Sequence, residues 1–183
     1  MTTPRRKSAN ADVAIDFVID SDLWKKHPDA EDIIRQAIGE AARASRALPG
    51  DIAAVLTDDA AMQALNKRWR GQDKPTTVLS FPAHAIPGDG EPAHLGDIVI
   101  AFETSAGEAE RDGKPFAHHL AHLAVHGYLH LLGHDHESDR DADAMERLET
   151  DILARIGVPD PYAGAQASEE SVPEEAATLK SHA

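Results

Sequence analysis

The sequence predicts an α+β fold, a small mixed β-sheet of about four strands packed with about five helices. Three observations lead there. Val13, Ile15, Phe17 and Ile19 recur at every second position, and short apolar runs bounded by turn residues follow at 52–57, 78–81 and 96–102, which reads as strand. Apolar residues recur three and four residues apart in several longer segments, which is the helix period. The two kinds of segment follow each other without a strict strand–helix–strand rhythm, so a uniformly parallel sheet is not expected. At 183 residues, 42% of them hydrophobic, the chain suits one domain with a real core.

The elements follow in order. Residues 1–11 read as a polar, flexible leader, and residues 12–162 as a single domain. Val13, Ile15, Phe17 and Ile19 alternate and predict the first strand. Pro28-Asp29 opens a helix whose apolar face is Ile33, Ile34, Ala37, Ile38 and Ala41, and Pro49-Gly50 ends it. Ile52 to Thr57 is a second strand. Asp58 caps a helix running through Met62, Leu65 and Trp69. Arg70 to Thr76 is a turn, punctuated by Gly71 and Pro75. Val78 to Phe81 is a short strand closed by Pro82. Residues 83–94, with Pro87, Gly88, Gly90 and Pro92, read as loop. Gly96 to Phe102 is a strand, and Glu103 to Arg111 a helix. Another helix begins near Pro115 and runs to Leu132, with Gly133 as its stop. A last helix covers Asp139 to Ile156 with the stripe Met145, Leu148, Ile152 and Ile156. The Ala-, Glu- and Ser-rich residues 163–183 read as a disordered acidic tail.

Composition narrows the chemistry. There is no cysteine, so disulfides and thiolate ligands are both excluded and any metal must be held by imidazole, carboxylate or water. No apolar run is long enough to span a bilayer, and no apolar stretch follows Arg5, Arg6 and Lys7 as in a secretory signal. A cytoplasmic protein with no membrane partner is the expectation. The net charge of −14 argues against nucleic-acid binding by the body as a whole. Locally the balance reverses: Lys67, Arg68, Arg70 and Lys74 stand against Asp73 alone. The acids of the last helix, Asp139, Asp141, Asp143, Glu146, Glu149 and Asp151, are read as solvated faces, like those of the tail.

Seven of the 11 histidines fall between His118 and His136. His126 and His130 are four apart on a predicted helix, so their imidazoles stack on one face, close enough to share an ion. Gly133 lets the chain leave that helix sharply and bring His136 back from a third direction. His126, His130 and His136 are therefore the expected ligands of one zinc ion at the end of a central helix. Three protein ligands leave a fourth position open, the arrangement of a catalytic rather than a structural zinc. His134 or Asp135 is an alternative to His136, or Asp135 orients a ligand. His118 and His122 lie about 12 and 6 Å before His126 along the axis, too far to share the ion, and are read as supporting or solvated residues.

The spacing resembles that of metzincin proteases, His-Glu-x2-His-x2-Gly-x2-His. In them the residue after the first histidine is the glutamate base of peptide hydrolysis. Here it is Gly127, which points away from a metallopeptidase. By position alone Arg70 is a surface arginine capping the end of its helix. Asp97 is a strand-entry turn residue beside Gly96. Leu129, Leu131 and Leu132 are core.

The whole stretch from His126 to His136 resembles the signature of the bacterial YbeY family, single-strand endoribonucleases of ribosomal RNA maturation. Asn66-Lys67-Arg68-Trp69-Arg70-Gly71-Gln72-Asp73-Lys74-Pro75-Thr76-Thr77-Val78-Leu79-Ser80-Phe81-Pro82 resembles its upstream motif, and Leu95-Gly96-Asp97-Ile98-Val99-Ile100 its Leu-Gly-Asp strand. The likeness covers about residues 13 to 162. It implies that His126, His130 and His136 are zinc ligands and that Arg70 is catalytic. It implies a hydrolase acting in ribosome maturation and quality control. The small ribosomal subunit and a ribosome-associated GTPase are the implied partners. The chain departs from the family at His134, where an aromatic residue is usual, and at Gln72, where lysine is common. Two other functions compete: a non-catalytic, zinc-braced ribosome-assembly or RNA-chaperone module, and a metallopeptidase.

Overall fold

The computed structural model describes residues 13–47, 49–83, 93–134 and 138–163. Four strands form one sheet: β1 (Val13–Ile19), β2 (Gly50–Thr57), β3 (Val78–Pro82) and β4 (Ala93–Ala101). Their order is β1-β2-β4-β3. The first three in that order run parallel, and β3 lies antiparallel on the edge against β4. Five α-helices complete the fold: α1 (Ala30–Ser45), α2 (Asp59–Arg70), α3 (Phe102–Arg111), α4 (Phe116–Leu131) and α5 (Asp139–Arg155). The expected α+β class, with four strands in a mixed sheet and five helices, is the observed one.

The strand period decides which side chains reach which core. Ile98 and Ile100 of β4 join Ile52 and Leu56 in the main core, covered by α1, α4 and α5. Their neighbours Val99 and Ala101 face the opposite way, onto Met62 of α2 together with Leu79. Asp58 caps α2 as expected, its Oδ1 accepting from the Ala61 N–H at 3.0 Å.

Three details differ from the sequence reading. Ala93 and His94, expected in a loop, belong to β4. The loop signals at Pro87 to Pro92 lie next to them but outside the described residues, as do the leader and residues 164–183. Gly96 and Asp97 sit within β4 rather than at its entry. Asp51 pairs with His94 but Ile52 with Gly96, so Leu95 is an extra residue, a bulge that breaks the alternation a strand is recognised by. Asp22–Lys26 forms a 3-10 turn that seats Trp24, whose indole N–H donates to the Thr57 carbonyl at 2.9 Å. Five residues are too few to carry a helical period.

Candidate metal centre

Helix α4 places the site. Between His119 and Leu131 every residue is buried except His122, His126 and His130. The four-residue spacing thus leaves a single half-buried line of imidazoles along a helix otherwise enclosed by sheet and helices. Past its end, Gly133 takes a positive φ of 90°, and the His134 N–H reaches back to the Leu129 carbonyl at 3.1 Å. That reversal is the one the sequence predicts at Gly133. His134 follows it, exposed. Asp135 and His136 lie outside the described residues.

The Nε2 atoms of His126 and His130 face each other at 3.0 Å. Two nitrogens on a tetrahedral zinc are about 3.3 Å apart, given Zn–N distances of about 2.0–2.1 Å. The pair therefore needs only a small spread to hold such an ion. On its other side, His126 Nδ1 donates to Glu149 Oε1 at 2.7 Å. A carboxylate behind a ligand imidazole fixes its tautomer and raises its basicity. Without cysteine the donors here are imidazole nitrogens, which suit zinc and also copper, nickel and iron.

Glu149 corrects the reading of α5's acids as solvated: it is fully buried. Its Oε2 accepts from His122 Nε2 at 2.9 Å and from the Tyr162 hydroxyl. Burial alone would raise its carboxyl, but the hydrogen bonds from His122 and His126 outweigh that and bring it down to about 2. Burial, and then the carboxylate it donates to, push the Tyr162 hydroxyl above the ordinary phenol range. Glu149 stands four residues after Met145 and three before Ile152, on the apolar stripe itself. That position was the available signal, and counting charges along the helix hid it. Further along α4, His119 Nε2 pairs with Glu108 at 3.0 Å, and burial still pushes its imidazole down.

Among the described residues, His122, His126 and Glu149 also form a group whose ligand atoms lie within 4.8 Å of one another, so it could hold a metal ion. Those same atoms are already engaged at 2.7 and 2.9 Å by hydrogen bonds within the group. The Nε2 pair of His126 and His130 opens instead onto a cleft of about 580 Å³. Val78, Ser80 and Pro82 of edge strand β3 form its opposite wall, and Arg70 and His134 also line it.

Two local features shape that cleft. A Cβ on Gly127 would stand 2.9 Å from Ile98 Cγ2, 3.2 Å from Ser80 Oγ and 3.3 Å from Val78 Cγ2. Glycine here lets α4 press onto β3 and β4, where the Ser80 hydroxyl donates to the Gly127 carbonyl at 2.9 Å. A side chain at 127 would point into the sheet, not toward the imidazoles. Arg70 is placed by the turn after α2. Buried Asn66 donates through Nδ2 to the Lys74 carbonyl at 2.8 Å, and the Gln72 N–H returns to the Asn66 carbonyl at 3.3 Å. The backbone thereby caps its own helix end. Among the described residues no carboxylate pairs with Arg70, whereas Lys67 pairs with Asp73 at 2.7 Å. Beside Arg70, Trp69 is 61% exposed, edge-on to Phe81 with ring centroids 6.0 Å apart. The Arg68 guanidinium lies 5.3 Å from its ring centroid. Asp97 is not in the cleft; it contacts His94 at 3.2 Å. No helix among the described residues is long and apolar enough to cross a membrane.

The family model described as "Endoribonuclease YbeY" matches residues 19–157. A protein of Bradyrhizobium sp. named "Endoribonuclease YbeY" is 56% identical over 154 residues, covering 81% of this chain and 91% of that protein. One of the same name from Rhodopseudomonas palustris is 54% identical over 155 residues, covering 82% and 92%. A third, from Bradyrhizobium diazoefficiens, is 51% identical over 154 residues, covering 81% and 84%. A solution structure from Thermotoga maritima covers 90% of this chain and 99% of its own, with 23% identity and a TM-score of 0.46.

Proposed function

The chain belongs to the YbeY endoribonuclease family, and on that premise we propose that it is a zinc-dependent hydrolase cutting single-stranded ribosomal RNA. One observation carries the reading: two imidazole Nε2 atoms 3.0 Å apart open onto a cleft that also holds a guanidinium with no carboxylate partner among the described residues. Phosphodiester cleavage builds negative charge on the phosphoryl oxygens, and those two kinds of group are suited to meet it.

In this reading His126, His130 and His136 hold one zinc ion. When bound, it supplies a Lewis acid toward the phosphate. Arg70 donates its planar fork of N–H groups to the non-bridging oxygens and holds the phosphodiester in the cleft. Glu149 keeps His126 turned toward the ion. Trp69, exposed beside Arg70, offers a ring on which an unpaired base stacks, which favours single strands over duplex. The basic turn on an acidic body supports weak binding to free RNA. Docking to the small ribosomal subunit, with a ribosome-associated GTPase, then delivers the substrate. The catalytic domain is residues 12–162, with the leader and the acidic tail as appendages, acting in the cytoplasm on ribosome maturation and quality control. Gly127, packed against the sheet, counts against a metallopeptidase, because a glutamate there would enter the core.

The test is metal content and RNA cleavage for wild type, His130→Ala and Arg70→Ala, each freed of contaminating nucleases. We expect one zinc per wild-type chain and loss of both zinc and cleavage in His130→Ala. Arg70→Ala should keep zinc and lose about 10²–10³ in rate, as for a missing charge-stabilising donor. Folded wild type that binds zinc and never cuts RNA would favour the non-catalytic, zinc-braced assembly module instead.

A further inference from the structure

Glu149 is where three parts of the chain meet. Its Oε1 accepts a hydrogen bond from His126 Nδ1 at 2.7 Å, and its Oε2 accepts from His122 Nε2 at 2.9 Å and from the Tyr162 hydroxyl. His122 and His126 come from α4 and Glu149 from α5. Tyr162 comes from the segment beyond α5, which has its own anchors. Lys114 Nζ donates to the Pro161 carbonyl at 2.8 Å, and the Tyr162 N–H donates to Asp160 Oδ1 at 2.9 Å. The Tyr162 ring stands edge-on to His122 with centroids 5.4 Å apart. A fully buried carboxylate is costly unless its lone pairs are filled, and this one has three donors. An ionised carboxylate only accepts. Facing His126 Nδ1, it therefore fixes the proton there and leaves the Nε2 lone pair toward His130.

We propose that Tyr162 is a positioning residue of the metal centre: by holding Glu149 it locks His126 in the Nδ1–H tautomer, with Nε2 presented as the ligand atom. The proposal rests on the reading of His126 as a zinc ligand. A plain packing role would need only the aromatic ring. Tyr162→Phe keeps that ring and removes the hydroxyl alone, so the two roles separate.

The experiment uses the full chain with a labelled histidine ring. Long-range ¹H–¹⁵N spectra of the metal-free protein report the His126 tautomer, and competition with a chromophoric chelator reports zinc affinity. Wild type is expected in the Nδ1–H form. Tyr162→Phe should mix the two tautomers and weaken zinc several-fold. Glu149→Gln puts an amide donor where two donors already point, and should weaken zinc about 10–100-fold. Should Glu149→Gln fail to fold, Tyr162→Phe decides alone. An unchanged tautomer and a zinc affinity within about twofold of wild type in folded Tyr162→Phe would overturn the role given to Tyr162, while leaving the metal reading intact. Wild type that takes up no zinc, but whose His126 tautomer still shifts in Tyr162→Phe, would instead remove the metal reading, and with it a role at a metal centre, leaving only the hold of Tyr162 and Glu149 on the His126 tautomer.

Discussion

Alanine at Gly127 tests whether α4 is truly pressed against the sheet. In a helix, glycine to alanine gains about 1 kcal/mol from backbone entropy when nothing opposes it. At 127 the added methyl would meet Ile98 Cγ2 at 2.9 Å, and that group belongs to a β-branched side chain only 1% exposed. Such a side chain has few rotamers to retreat into. Overpacking of this kind costs about 1–3 kcal/mol, so the net loss is about 1 kcal/mol. For a chain of this size that lowers Tm by about 2–4 °C. Gly107, on the exposed face of α3, is the internal control. Its Cβ would meet nothing within 4 Å, so Gly107→Ala should raise Tm. Calorimetry of the two variants against wild type checks the sign of each. Ile98→Ala should then cost less in the Gly127→Ala background than in wild type, because it removes the opposing methyl. A Gly127→Ala protein that gains stability as Gly107→Ala does would refute the close approach. It would also refute the account given for the absence of a glutamate beside His126.

Two further expectations concern the surface. Trp69→Ala should weaken binding of short single-stranded RNA by about 1–3 kcal/mol, or about 5–150-fold, with little effect on duplex; equal losses on both would remove the stacking role. The Asp51 carboxylate, 2.5 Å from His94 Nδ1, raises that imidazole above its usual value, and Asp97 adds to it. The folded pKa being the higher one, this stabilisation is complete below about pH 6.5 and fades as pH rises through the folded value. Asp51→Asn should therefore lower Tm in mild acid and not in mild alkali. His94 and Asp51 are both partly exposed, so the effect is small, and thermal melts showing equal losses at both pH values would contradict it.

Much of this was legible because period and position speak loudly in some segments. β1 keeps its apolar residues at every second position, β2 is a short apolar run between Gly50 and Asp58, and the Asp58 cap and Gly133 stop sit where the helix ends require them. The pair His126 and His130 follows from helix geometry alone. What stayed hidden depends on contacts between distant elements. Leu95 breaks the β4 alternation because it bulges against β2. Gly127 reads as a missing base, but its physical reason is the approach of β3 and β4 to α4. Glu149 carries a charge that suggests solvent, and only the packing of α5 on α4 makes it a buried acceptor. Arg70 looks like an ordinary surface cation until the turn pinned by Asn66 swings it over the same cleft as the imidazoles.

The anchoring of Tyr162 on Glu149 has a consequence in time. A polypeptide emerges from its N-terminus onward, and Tyr162 follows every other residue that lines or braces the centre. A chain still being synthesised would hold its histidines without the clamp behind them. On the role proposed for Tyr162, the centre would then reach its full grip on a metal only after the segment beyond α5 has been made and has packed back onto Glu149.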